Sequence, residues 1–186
     1  MFKNISINRN YLIALIFALF FTGLNIISHR DEAPLGYSKY EKYGFSLHYP
    51  EDCTIHESAI YFKIPTYFFG DLRGETQNGD KIFGVVWIEA GESSLNLITD
   101  EIIEEARKMD DIFGVTSGES KNVGEKDVLF RGFNLNSSVT TLHGLLASWE
   151  SPEGRIFTVY YIEKGRTNQE LFNQLKRIVS SFKTVP

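Results

Sequence analysis

The stretch "HESAI", His56 to Ile60, begins as the helical zinc motif H-E-x-x-H begins. In that motif two histidines four residues apart hold the metal and the glutamate works on its bound water. Ile60 stands where the second histidine is needed, and the segment reads as strand or turn, so zinc hydrolysis is not expected. His48, His56 and His143 could still meet in space. Alternation puts His48 on the solvent side of its strand, opposite Leu47. His143 shares a strand face with Leu145 and Trp149 and is expected to be partly buried and satisfied. No joint metal site is expected from these three.

Cys53 is the only cysteine, so neither an intramolecular disulfide nor a cysteine-based zinc site can form. No neighbouring motif would activate its thiolate, and it reads as a small, partly buried hydrophobe. A serine nucleophile needs an elbow such as G-x-S-x-G, which "GVTSGES" and "GESS" do not match. Neither a phosphate-cradling P-loop nor a dinucleotide fingerprint is present. Glu104-Glu105 and Asp110-Asp111 fall on the polar side of a helix, where a solvated face is expected rather than a glycosidase pair. No catalytic, cofactor-binding or metal residue is assigned, no cofactor is expected, and the chain is expected not to be an enzyme.

"YFKIPTYFF", Tyr61 to Phe69, holds five aromatics in nine residues. It reads as core strand plus packed loop, or as an exposed patch of the kind that marks interfaces. If a binding surface exists, it is expected at Tyr67, Phe68 and Phe69 together with Asp71 and Arg73 of the turn-rich stretch Gly70–Asp80. Asn136-Ser137-Ser138 is a glycosylation sequon that matters only in a glycosylating compartment.

Elements must position any such surface. The chain has 186 residues, 42% of them hydrophobic, which suits a globular domain with a proper core. After residue 30 there are 16 basic and 24 acidic residues, a net charge of −8. Such a domain is poorly suited to phosphate backbones, and no nucleic-acid partner is expected. Phe45, Leu47 and Tyr49 alternate with Ser46 and His48 in a strand stopped by Pro50. Short strand-like pieces follow at Thr54–Glu57 and Ala59–Ile64. Lys81 to Ala90 is apolar at nearly every position, as in a strand covered on both faces. Thr99–Asp111 reads as a helix capped by Thr99, with Ile102, Ile103, Ala106 and Met109 on one face. Strands are expected at Val115–Ser120, Val128–Asn136 and Leu142–Glu150. The last of these should form a hairpin with Ile156–Glu163 across Ser151-Pro152-Glu153-Gly154. Thr167 and Glu170 have capping-box spacing ahead of a stripe of Leu171, Phe172, Leu175, Ile178, Val179 and Phe182. The order predicts an α+β domain, a central antiparallel sheet flanked by α-helices.

Ahead of it, Tyr11 to Ile27 has no charged residue in 17 positions. As a helix it would span about 26 Å, near the lower limit for a bilayer. Lys3 and Arg9 precede it, as in an export signal. No cleavage-like triplet of small residues lies between Thr22 and Pro34, so an uncleaved signal anchor is expected. The expected organisation is a short tail (1–10), a transmembrane anchor (11–27), a tether (28–42) and a globular domain (43–186). The positive-inside count is nearly even; the C-terminal domain is placed outside the cytoplasm because a short basic region and apolar run normally act that way.

"YGFSLHYP", Tyr43 to Pro50, and "IVSSFK", Ile178 to Lys183, resemble the two ends of PsbP-like domains. That superfamily is named for an extrinsic subunit of photosystem II and also includes a Ran-binding nuclear import factor. Similar domains often read Pro-x-x-Trp after the first strand, where this chain has Glu51-Asp52-Cys53. The resemblance implies an α/β/α sandwich around an antiparallel sheet and a non-enzymatic role exercised through surfaces; it does not imply photosynthesis. The leading expectation is thus a membrane-anchored, extracytoplasmic domain that binds an unknown protein partner. The alternatives are an enzyme or enzyme accessory subunit with a cleft outside any linear motif, and a structural cell-envelope component. A cleft where polar groups with strongly shifted pKa converge would favour the enzyme. A filled sandwich with an exposed apolar patch would favour binding.

Overall fold

Two strands that are apolar on both faces set the architecture. In Lys81–Glu89, Phe83, Val85 and Trp87 alternate with Ile82, Val86 and Ile88. In Arg155–Glu163, Phe157, Val159 and Tyr161 alternate with Ile156, Tyr160 and Ile162. Both sets pack into cores, so each face of the sheet needs cover. The computed structural model describes residues 33–58, 69–89, 94–109, 112–136 and 141–185. In chain order its elements are β1 (Tyr37–Lys42), β2 (Phe45–Pro50), β3 (Thr54–Ser58), β4 (Phe69–Glu75), β5 (Lys81–Glu89), α1 (Leu95–Met109), β6 (Ile112–Phe113), β7 (Glu119–Val123), β8 (Lys126–Asn136), β9 (Thr141–Glu150), β10 (Arg155–Glu163), α2 (Asn168–Ser181) and β11 (Lys183–Thr184).

The main sheet runs β3-β4-β5-β10-β9-β8-β6, with β7 added on β8, and every pairing is antiparallel. A second sheet, β1-β2-β11, is also antiparallel. On one face, Phe83, Val85, Trp149 and Phe157 pack against Leu171, Leu175, Ile178 and Val179 of α2 and against Phe45 and Leu47 of β2. On the other face, α1 contributes Ile103 to a cluster with Phe133, Leu142 and Leu146, and Ile98 to one with Ile88 and Ile156. This is an α+β sandwich whose α2 side is shared with the small sheet. Across β9 and β10, the buried hydroxyls of Ser148 and Thr158 satisfy each other at 2.8 Å.

The β9–β10 hairpin and the α2 capping box appear as the sequence predicts. Gly154 has φ +82° and its N–H bonds the Ser151 carbonyl at 2.9 Å. The Thr167 hydroxyl accepts the Glu170 N–H, and the Glu170 carboxylate accepts the Thr167 N–H. Other expectations are corrected. The globular unit begins at Gly36, and the last six residues read as tether form β1, paired along its length with β2. The stretch read as a loop from Gly70 is strand β4 as far as Glu75. Helix α1 begins at Leu95, beside Ser94, so Thr99 lies inside it and donates its hydroxyl back to the Leu95 carbonyl at 2.7 Å. The strand expected at Val115–Ser120 is split, with β6 before it and β7 starting at Glu119. The strand expected at Ala59–Ile64 lies outside the described residues. So does the anchor expected at 11–27; among the described residues no helix is long and apolar enough to cross a membrane.

Candidate functional site

Two places combine unusual backbone or charge with access to solvent. The first is the β1–β2 turn. Lys42 pairs with Phe45, leaving the two-residue loop Tyr43-Gly44 with φ of +55° and +76°. These are the signs of a type I′ turn, whose twist suits a hairpin and whose first position favours Asn or Gly. Tyrosine there costs about 1–2 kcal/mol in left-handed strain. The turn is fixed from below: the Val185 N–H bonds the Gly44 carbonyl at 2.9 Å, and Arg155 Nη1 bonds the Tyr43 carbonyl at 3.3 Å. The Tyr43 ring, 45% exposed, stacks on Trp87 with centroids 5.3 Å apart. Its hydroxyl donates to Glu57 Oε2 at 2.9 Å, and the same carboxylate takes Lys42 and, at 3.4 Å, Tyr40. These bonds, Lys42's first, hold Glu57 below the ordinary carboxylate range. Burial, then the Glu57 charge, pushes the Tyr40 hydroxyl well up.

The second place is a cleft of about 330 Å³ where the small sheet, β5, β10 and α2 come together. Its walls are the turn Glu51-Asp52, the start of β1, Lys81, the end of β10 and one side of α2. The turn is held by the Glu51 N–H on the Gly36 carbonyl at 3.1 Å. Lys81 pairs with Asp52 at 2.6 Å, and Arg166 with Glu163 and Glu170, each at 3.2 Å. Tyr37 donates to Gln174 Oε1 at 2.5 Å, and Tyr161 to Glu163 Oε2 at 2.8 Å. Burial first, then Glu163, raises the Tyr161 hydroxyl far above its usual value. Cys53 lies in the core behind the turn, its thiol pushed up to about 12 by burial and then by the Asp52 charge. Both strong shifts keep a proton on, so at neutral pH neither group supplies a base or a nucleophile.

The residues singled out from sequence are scattered. His48 lies on β2, its N–H bonded to Ser181 Oγ at 2.8 Å; His56 is exposed on β3. His143 is exposed rather than partly buried, its Nδ1 2.7 Å from Asn134 Oδ1, because the face it shares with Leu145 runs out at this end of β9. Among the described residues no three His, Cys, Asp or Glu side chains form a group that could hold a metal. Tyr67 and Phe68 lie outside the described residues. Phe69 and Asp71 belong to β4, and Arg73, also on β4, pairs with Glu75 at 3.3 Å. Sequence reading missed Tyr43 and the cleft residues Glu51, Gln174 and Arg177. The Tyr43-Gly44 pair between two alternating runs was a usable turn signal; the cleft, drawn from distant segments, had none.

An antiparallel sheet with α1 on one face and α2 plus a small three-stranded sheet on the other is the PsbP-like fold. The solution structure of cyanobacterial PsbP (CyanoP) from Synechocystis is similar at TM-score 0.58 and 11% identity, over 83% of this chain and 95% of that one. A crystal structure from Bacteroides thetaiotaomicron is similar at TM-score 0.54 and 13% identity, over 82% of this chain and 50% of that one. No family model and no curated protein matches the sequence.

Proposed function

We propose that this chain is a membrane-anchored accessory domain, held outside the cytoplasm by residues 11–27, that binds a protein partner without catalysing a reaction. The observation that carries the reading is Tyr43. Strained backbone in a folded protein persists where the surroundings over-determine it, and it gathers at functional positions. Here a costly left-handed tyrosine presents a half-exposed ring on Trp87, beside the Lys42–Glu57 pair. Aromatic anchors with a polar rim are the chemistry of protein interfaces. The PsbP-like fold supports an accessory role.

The test places a photo-crosslinking phenylalanine analogue at Tyr43 or at Leu97, an exposed apolar residue of α1, in the full chain in its native membrane. A discrete protein adduct is expected from position 43, absent from position 97 and lost when Lys42 and Glu57 are both reversed in charge. The same adducts from both positions would refute the reading. For the topology, a reporter fused after Pro186 that is active only in the cytoplasm would overturn the orientation.

A further inference from the structure

The charges around the 330 Å³ cleft do not cancel completely within the protein. Lys81 is matched by Asp52, and Arg166 by Glu163 and Glu170. Two lining residues of opposite sign are left. Glu51 belongs to the turn after β2 and Arg177 to α2, and among the described residues the side chain of neither has a partner. Among the described residues they do not pair with each other, and both are exposed.

The neutral groups sharpen the picture. Gln174 precedes Arg177 by three positions and lies on the same side of α2. Its oxygen takes the Tyr37 hydroxyl at 2.5 Å, which leaves the amide NH₂ as the group still to be bonded among the described residues. A guanidinium and an amide donor one turn apart are a carboxylate-binding pair. Glu51, whose N–H bonds the Gly36 carbonyl, adds to the lining a carboxylate able to accept from an ammonium. Tyr37, Tyr161 and Pro50 also line the cleft, Tyr161 with its ring in the core. With three carboxylates and three cations around it, the lining has no net charge. A simple anion or cation would therefore meet little net attraction, whereas a ligand carrying both charges would be matched at both ends. The volume of about 330 Å³ sits at the bottom of the ~300–1,000 Å³ range of small-molecule sites and suits a small ligand.

We propose that this cleft binds a small zwitterion of amino-acid or dipeptide size, its carboxylate on Arg177 and Gln174 and its ammonium on Glu51. The site is independent of the Tyr43 patch, and neither proposal stands on the other.

The experiment is a ¹⁵N–¹H NMR titration of the labelled full chain in detergent micelles. The probes are glycine and glycylglycine, which differ in charge separation, with acetate and ethylammonium as the half-ligands. Saturable shifts confined to the Glu51–Asp52 and Gln174–Arg177 amides are expected with at least one zwitterion below about 20 mM. Either half-ligand should bind about tenfold more weakly or worse. Arg177→Gln and Glu51→Gln should each weaken binding by about tenfold, with unchanged thermal melts, while Lys176→Gln, on an exposed position of α2, should not. No saturable shift with either zwitterion overturns the proposal. So does acetate binding as tightly as the zwitterion, or a zwitterion indifferent to both substitutions.

Discussion

Phe182 ties the end of the chain to its first strands, and replacing it with alanine should be among the costliest single changes in the domain. The residue is the C-cap of α2 and is 2% exposed. Its ring lies 5.1 Å from Phe45, 4.9 Å from Trp149 and 4.6 Å from Phe157. Truncating a buried phenylalanine costs about 3–5 kcal/mol, and each aromatic pair about 0.5–1.5 kcal/mol beyond area. Three pairs and near-complete burial place Phe182→Ala at the upper end, about 4–5 kcal/mol. That is about a quarter or more of the ~5–15 kcal/mol that holds an ordinary domain together. With a urea slope of about 2 kcal/mol per molar, the unfolding midpoint should fall by about 2 M. The assay is urea unfolding of the full chain in micelles, followed by tryptophan fluorescence; Trp149 touches Phe182 directly and Trp87 touches Phe45. Phe182→Leu, which keeps part of the volume but loses the three ring contacts, should cost less than Phe182→Ala but still about 1.5–3 kcal/mol. Leu97→Ala, at an exposed position, should stay within about 0.5 kcal/mol. A Phe182→Ala cost below about 1.5 kcal/mol would mean that the ring cluster is not the joint between the two ends of the chain.

Further changes probe single features. Thr158→Val leaves the Ser148 hydroxyl buried without its partner and should cost about 1–3 kcal/mol, much of it recovered in the Ser148→Ala/Thr158→Val double variant; simple additivity in denaturant titrations would refute the pairing. Thr167→Ala removes the α2 cap and should cost about 1 kcal/mol by thermal melt. Because Glu170 is held below the ordinary carboxylate range, chiefly by Thr167, the stability it adds is whole above that range and lost as pH falls through its folded value. For Cys53 the sign is reversed. The folded thiol holds its proton up to about 12, so its contribution is whole below the usual thiol value of 9.0 and falls as pH rises from there towards 12. A disulfide reagent at pH 8 should therefore label the native chain far more slowly than the unfolded one, and equal rates would refute the burial.

Local signals were legible where the physics was local. The β9–β10 turn needs Pro and Gly at adjacent-strand spacing, and α2 needs a threonine three residues before a glutamate; both are visible in a short window. Strand β4 was not legible because its glycines act through a neighbour 9 to 17 residues on. A Cβ at Gly70 would come within 2.0 Å of Trp87 Cζ2, and one at Gly74 within 2.0 Å of Phe83 Cε1. Rings from β5 lie across these glycines, so residues that read as turn formers are what lets the two strands pair. Thr99 misled for the opposite reason. Its capping propensity was real, but Ser94 begins the helix a turn earlier, and the threonine hydroxyl bonds back into it.

The turn after β2 connects the fold to the cleft. PsbP-like domains often carry Pro-x-x-Trp there; this chain has Pro50-Glu51-Asp52-Cys53. A tryptophan at position 53 would have to enter the core behind the turn, where the smaller cysteine is buried. The two residues before it face the other way. Asp52 neutralises Lys81, and Glu51 is left lining the cleft together with Arg177. The departure from the shared pattern, a cysteine where a tryptophan is common, closes the turn's inner side with a small buried residue; Glu51 and Asp52, at positions the pattern leaves free, put one charge on Lys81 and leave one without a partner among the described residues. Fold identity and ligand chemistry meet in four consecutive residues. A substitution series confined to Glu51 and Asp52 separates them. Glu51→Gln should change zwitterion binding without moving the urea midpoint by more than about 0.25 M, whereas Asp52→Asn should disturb Lys81 and leave the Glu51–Arg177 pair of charges able to bind.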